Sequence, residues 1–327
     1  MCRRFAPGPR HSAKFLANPR VSKTFGESPH GAGLTPHRRA TKQATSVPTS
    51  TSSLAGVRIS SALVPLAISG ELRGTVLSAH RAALNLTCSG HLVTCGLSEL
   101  GALPNGVTVV DMKDLRGVAT PGDEVIVNVR SARPWSPLIL PLADRPSTEA
   151  VARSAQIAAA RAPAGGFGPL LCSLDEDPQD GDLFRSAARP ILSALLAATR
   201  GGDRLAAVTA AGSLVGLGAG MTPSGDDALV GFTAALTVAR AELARPIARA
   251  AAEAGARTTL VARTYLEHAA RGEYAERVHD LIAAVAAGDP TRIVRGMSWG
   301  ATSGADLVLG ILLGARAAWL TAEARAA

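Results

Sequence analysis

The hydrophobic rhythm of the chain changes twice. Through residue 56 no apolar period is visible, and Pro, Ser, Thr, Gly and Arg prevail. From 57 to 146 short apolar runs are cut by turn residues. Residues 84–94 read as a strand, a turn at Ser89-Gly90 and a second strand. Pro104-Asn105-Gly106 and Pro121-Gly122-Asp123 mark turns ahead of runs at 107–110 and 124–130, and Trp135 closes this part. From 147 onward alanine dominates and the period lengthens. Leu183, Phe184, Ala187, Ile191, Leu195 and Ala198 share one helical face. The pattern predicts helices over 147–161, 183–198, 203–215, 228–243, 258–271, 276–287 and 305–324, with Asp203 as an N-cap and glycines at several ends. The expected fold is α+β. A small β-rich domain over 57–146, barrel or sandwich, precedes a mainly helical domain over 147–327. Residues 1–56 are expected to be a basic tail, either a disordered extension or a mis-called start, although their composition also overlaps that of an organelle transit peptide.

Composition excludes two classes of partner. Apolar residues make up 47 % of the 327 and charged ones 18 %, as in chains that bury a core. The net charge of +8 belongs to the tail, because residues 1–50 hold nine Lys or Arg against Glu27 and residues 51–327 hold 25 of each sign. A body without net charge offers no footprint for nucleic acid. The 21 uncharged residues from Leu205 to Gly225 match a bilayer in length, but five glycines and Pro223 divide them into a helix end and a loop. No membrane span and no secretory signal are expected. Four scattered cysteines, with Cys88 and Cys95 seven apart, make neither a disulfide scaffold nor a zinc knuckle and fit a reduced, cytoplasmic compartment.

The most informative stretch is Gly216-Leu-Gly-Ala-Gly-Met-Thr-Pro-Ser-Gly-Asp-Asp-Ala-Leu-Val-Gly231, echoed 79 residues later by Thr302-Ser-Gly-Ala-Asp-Leu-Val-Leu-Gly310. Ser224, Gly225, Asp227 and Gly231 align with Ser303, Gly304, Asp306 and Gly310, by internal duplication or by convergence on one device. Ser-x-x-Asp before an apolar run is a capping box, in which the hydroxyl and carboxylate satisfy backbone donors without chemistry. Glycines ahead of a helix N-terminus instead suit an anion, which free N–H groups and the helix dipole attract. On that second reading Gly218, Gly220, Thr222, Ser224, Gly225, Asp226, Ser303 and Gly304 bind ligand, and Asp227 and Asp306 are catalytic. The lysine of a nucleotide P-loop is missing, and the preceding helix rules out a dinucleotide fingerprint. Three carboxylates repel an anion unless they cap, bond a ligand hydroxyl or amide, or hold Mg²⁺, the one cofactor the pattern admits.

Weaker candidates surround this pair. His80, Arg81 and Asn85 lie beside the first strands. Arg257, Thr258, Thr259 and Arg263 open a helix, where arginine can meet an anion bidentately. Glu267, His268 and Glu273 form a polar face, His279 and Asp280 read as surface positions, and Trp299 either lines a pocket or packs. No Ser-His-Asp order, HExxH or Cys/His cluster is present.

Gly218-x-Gly220-x-Thr-Pro-Ser-Gly-Asp-Asp227 with Gly231, followed by Ser303-Gly-Ala-Asp306, resembles the AllH-like family, whose named member is a subunit of bacterial oxamate carbamoyltransferase. The resemblance extends over roughly residues 60–322 and includes Ser78-Ala-His-Arg-Ala-Ala-Leu-Asn-Leu86. Met221 replaces the family's usual leucine, and the basic tail has no counterpart. The resemblance implies a transferase that turns oxalurate and phosphate into oxamate and carbamoyl phosphate in anaerobic allantoin breakdown. It also implies other subunits as partners and a small anionic metabolite as ligand. Donors that hold phosphate and polarise a carbonyl suit that reaction, and aspartates can accept from the carbamoyl NH₂. The alternatives are a non-catalytic metabolite-binding or scaffold subunit of a metabolic complex, and a structural subunit in which both motifs only cap. The shared-site reading requires Ser224 and Ser303 to meet in space.

Overall fold

A computed structural model describes residues 51–172 and 182–319. The tail through residue 50 and the end of the last predicted helix lie outside these residues. The strands are β1 Thr51–Ser60, β2 Glu71–Ala79, β3 Ala83–Cys88, β4 His91–Leu97, β5 Gly106–Val109, β6 Glu124–Asn128 and β7 Arg133–Trp135. The first six close into a barrel in the order β5-β4-β3-β2-β6-β1, with β1 returning to β5. The barrel form of the β-rich expectation is therefore the one adopted. Closure depends on β1. Its first half runs parallel to β6 from Thr51 to Ala55, and its second half runs antiparallel to β5 after an irregularity between Gly56 and Arg58. Such a break bends one strand so that it can serve two neighbours. β1 starts ahead of the boundary drawn at 57, since Thr51-Ser52-Ser53 show none of the apolar alternation that marks a strand.

β3 and β4 form the predicted hairpin. Ser89 and Gly90 both take left-handed backbone (φ 48° and 81°), the geometry that keeps a two-residue turn in step with strand twist. Leu72, Leu84, Leu86, Val93, Val107, Val125 and Val127 fill the barrel. Cys88 and Cys95 are buried there as free thiols, and burial pushes the Cys88 thiol up to about 11, so it stays protonated and inert.

The helices are α1 Thr148–Ala160, α2 Leu183–Gly201, α3 Arg204–Leu214, α4 Ser224–Val238, α5 Ala244–Glu253, α6 Leu260–Ala269, α7 Glu276–Ala287, α8 Pro290–Met297 and α9 Ser303–Ala318. Asp203 caps α3 as expected, accepting from the Ala206 N–H at 3.0 Å. The helix predicted over 228–243 starts earlier and stops at Val238, and Arg240 in left-handed backbone (φ 52°) turns the chain into α5. The pattern missed α5 because its buried stripe is mostly alanine, and α8 because Pro290, read as a terminator, is its first residue. α4 and α9 are buried almost all round and form the centre against which the other helices pack. Glu276 at the start of α7 ties helices to barrel, accepting from both terminal nitrogens of Arg58 at 3.1 Å and from the Ala102 N–H at 2.8 Å. Among the described residues no helix is long and apolar enough to cross a membrane.

Candidate functional site

The two serine motifs belong to a larger repeat. α2, α3 and α4 follow one another as α7, α8 and α9 do. Each first helix ends on a left-handed glycine, Gly202 (φ 74°) or Gly288 (φ 63°), and each second helix begins on the next residue, where Asp203 or Asp289 caps it. The third helices, α4 and α9, cross backbone to backbone. A Cβ on Gly231 would lie 2.2 Å from the Leu307 carbonyl oxygen, and one on Gly310 would lie 1.9 Å from that of Ala228. Leu307 and Ala228 occupy matching places in the two motifs, so the crossing has a local two-fold relation. Gly225 and Gly304 make matching approaches to the helix before, with a Cβ on either coming 2.1 Å from the carbonyl oxygen of Leu214 or Gly296. Duplication accounts for all of these; convergence on one cap accounts for none beyond the motif.

The capping-box reading fails. The N-caps of α4 and α9 are Pro223 and Thr302, neither makes a side-chain cap bond, and both serines stand inside the helix. The backbone anion cradle also lacks its donors. Gly225 N–H donates to Leu217 O, those of Asp226 and Asp227 to Pro223 O, that of Gly304 to Trp299 O, and those of Ala305 and Asp306 to Thr302 O. The motif side chains reach across the two-fold instead. The Ser303 hydroxyl lies 2.9 Å from that of Thr222, and both act on Asp227. Ser224 and Thr302 act on Asp306. Asp226 braces the glycine loop, accepting from the Gly216 N–H at 3.1 Å and from the Thr258 hydroxyl at 2.5 Å. Thr259 caps α6 and bonds the Met221 carbonyl, so these threonines hold the loop in place. Gly216 (φ 78°) needs its glycine, because a Cβ there would lie 2.3 Å from the Arg257 carbonyl oxygen.

A cavity of about 570 Å³ lies where the barrel meets the helices. The loop lines it with Gly220, Met221 and Thr222, the helices and their connections with Asp227, Tyr265, Arg277, Trp299 and Ser303, and the barrel with His80, Asn85 and Thr94. The barrel wall is a polar chain in which Asn85 donates to Ser78 at 3.0 Å and accepts from Thr94 at 2.8 Å, while the His80 ring bonds the same serine at 3.2 Å. Asp227 is 7 % exposed, and its Oδ2 has no hydrogen-bond partner. Arg277 is the one Arg or Lys among the described lining residues. Its guanidinium lies over the Trp299 ring, 4.8 Å from the centroid, and donates to the Glu99 carbonyl. Among the described residues no carboxylate pairs with it.

The predicted site residues thus divide. Gly220, Thr222, Asp227 and Ser303 face the cavity. Gly218, Ser224, Gly225, Asp226, Gly304 and Asp306 do not line it. The two motifs meet, but back to back, and Asp306 is fully buried with its Oδ1 accepting from the Phe167 N–H at 2.7 Å. Arg277 escaped the sequence reading because it sits beside Glu276 on a polar helix start. His279, read as a surface residue, is half-buried against Trp135, with ring centroids 5.8 Å apart. His268, Glu273 and Arg271 form an ionic cluster at the rim, with 2.6 Å between the His268 ring and the Glu273 carboxylate.

Burial pushes the Asp227 carboxyl well above the usual carboxylate range. The Ser303 and Thr222 hydroxyls oppose that rise, and the charges of Asp306 and Asp226 add to it. Burial also raises Asp226 and Asp306. A neutral carboxyl does not repel an anion, which removes the conflict between three aspartates and an anionic ligand. Among the described residues no three His, Cys, Asp or Glu side chains are grouped to hold a metal ion, so the Mg²⁺ option lacks a ligand set. With its folded-state pKa above the unfolded value, Asp227 favours the fold when protonated and opposes it as pH rises through that raised value. The variant Asp227→Asn removes the titration. Its melting temperature relative to wild type is expected to be more favourable at about pH 8 than at about pH 5. A difference that stays flat across that range would show that Asp227 is not buried as a titrating acid.

The family model described as oxamate carbamoyltransferase subunit AllH matches residues 214–315. Over this segment the chain is AllH-like. The match is narrower than the resemblance over 60–322 and spans the glycine loop, both motifs and Arg277, but not the barrel. No curated protein and no solved structure matches the chain.

Proposed function

We propose that this AllH-like chain is a subunit of a cytoplasmic carbamoyltransferase-type complex, and that the cavity between barrel and helices binds its small anionic ligand. One observation supports this above the rest: an unpaired arginine and a buried carboxyl with an orphan oxygen open into the same cavity. Such a pocket is polarised for a ligand that is anionic at one end and carries N–H at the other. Oxalurate and oxamate have that form. In the reaction proposed, a phosphate oxygen attacks the carbamoyl carbon of oxalurate, the bond from that carbon to the oxamate nitrogen breaks, and that nitrogen takes a proton. Asp227, neutral through burial, is the donor; Ser303 and Thr222 orient it. Arg277 holds the carboxylate. Gly220 lets the ligand approach the loop, and Asp226 and Asp306 act by supporting the walls. Since the matched family is named as a subunit, other subunits are expected to complete the machinery.

The test uses the complex purified from its native host through a tag on this chain. Phosphate-dependent formation of carbamoyl phosphate from oxalurate is expected, and Asp227→Asn is expected to slow it about 100-fold, as for loss of a positioned acid. Ligand-induced thermal stabilisation without turnover in any assembly would instead favour a metabolite-binding subunit.

A further inference from the structure

The local two-fold relates two sites of the same composition. The open one brings together Asp227 of the first half with Ser303 and Arg277 of the second. The closed one brings together Asp306 of the second half with Ser224 and Arg185 of the first. Each arginine stands near the start of the first helix of its half, Arg185 on α2 and Arg277 on α7. In both sites the Oδ2 atom of the aspartate is buried without a hydrogen-bond partner. The sites differ in what fills them. In the closed site one peptide group lies between the aspartate and the arginine. The Phe167 N–H donates to Asp306 Oδ1 at 2.7 Å, and the carbonyl of the same peptide, that of Gly166, accepts from Arg185 at 3.0 Å. The fit is close: Gly166 has left-handed backbone (φ 57°), and a Cβ there would lie 2.8 Å from both Asp306 carboxylate oxygens and 2.7 Å from Thr302 Cβ.

We propose that the Gly166–Phe167 peptide is the chain's own occupant of one of two equivalent sites, and that the open site takes a group of the same form, an amide donating N–H to Asp227 and presenting its carbonyl to Arg277. This rests on the reading of the cavity as a ligand site and adds to it. Asp227, 7 % exposed and lacking a partner at Oδ2, is the residue that separates amides from their oxygen analogues. The same relation explains why a duplicated fold has one cavity of this kind: the second was filled from within.

The experiment is calorimetric titration of the full chain with oxamate and with oxalate, which replaces the amide nitrogen by oxygen. Oxamate is expected to bind at least about tenfold more tightly, because oxalate leaves an acceptor facing an acceptor. In Asp227→Asn, which can donate, the preference is expected to collapse. Equal affinities in the wild type would overturn the proposal while leaving an anion-binding cavity. Binding of neither would overturn both. The equivalence of the sites has its own readout. Gly166→Ala is expected to displace the internal peptide and lower the melting temperature, and oxamate is then expected to raise it by more than it raises the wild type's. Equal shifts in the two proteins would overturn the equivalence, and should the variant fail to fold, the wild-type comparison still decides.

Discussion

Alanine at position 310 is expected to destabilise the protein by about 3 kcal/mol or more, although the same change in an ordinary helix interior gains about 0.5–1 kcal/mol. The sign is the test. A Cβ on Gly310 would stand 1.9 Å from the Ala228 carbonyl oxygen and 2.8 Å from the Phe232 nitrogen. These are backbone atoms of a buried helix and cannot rotate aside. α4 and α9 would have to move apart, opening the packing around Leu309, Ile311 and Phe232 on both sides of the crossing. Gly231→Ala should cost a similar amount, since the local two-fold gives it the matching contact with Leu307. Gly212→Ala is the control. Gly212 lies within α3, and nothing comes within 4 Å of a Cβ built there, so this variant is expected to be slightly stabilised. Urea or thermal melts of the three variants give the comparison. A Gly310→Ala protein as stable as Gly212→Ala would show that the two helices do not meet through their backbones.

The sequence told more about elements than about pairings. The turn at Ser89-Gly90, the cap at Asp203 and the span of α7 follow from chemistry within a few residues and were legible. Barrel closure was not. It depends on β1 meeting β6 and β5, which lie far along the chain, and β1 opens on Thr-Ser-Ser without an apolar period. The motif residues were found for a reason that did not hold. Ser-x-x-Asp fits a cap locally, yet each serine turns to the aspartate of the other half, a choice set by tertiary contact. Asp227 and Asp306 look alike in sequence. They differ because the Phe167 N–H, 139 residues before Asp306, fills one site and not the other. Arg277 gave no signal, because a polar residue at a helix start reads as solvated until the barrel and Trp299 cover it.

Arg277 therefore carries the largest effect expected on ligand binding. Arg277→Gln is expected to weaken oxamate binding about 100-fold, corresponding to about 3 kcal/mol, the range for removing one partner of a desolvated charge pair. The cavity offers no substitute, since its described lining contains no other Arg or Lys. Two features make the guanidinium available. Its protein acceptor is the Glu99 carbonyl, not a carboxylate, so its charge is not neutralised locally, and the Trp299 face beneath it fixes the plane of its donors. Arg277→Lys should recover only part of the affinity, because an ammonium keeps the charge but loses the planar fork and the stacking. The ligand-free melting temperature of either variant should change little, as the bonds lost are few and lie near the rim of the barrel–helix joint. Affinity and stability therefore separate at this residue, whereas at Gly310 stability alone is expected to fail. Unaltered oxamate affinity in Arg277→Gln would place the anion elsewhere and leave Asp227 facing an apolar end of the cavity, with no charge to orient the ligand toward it.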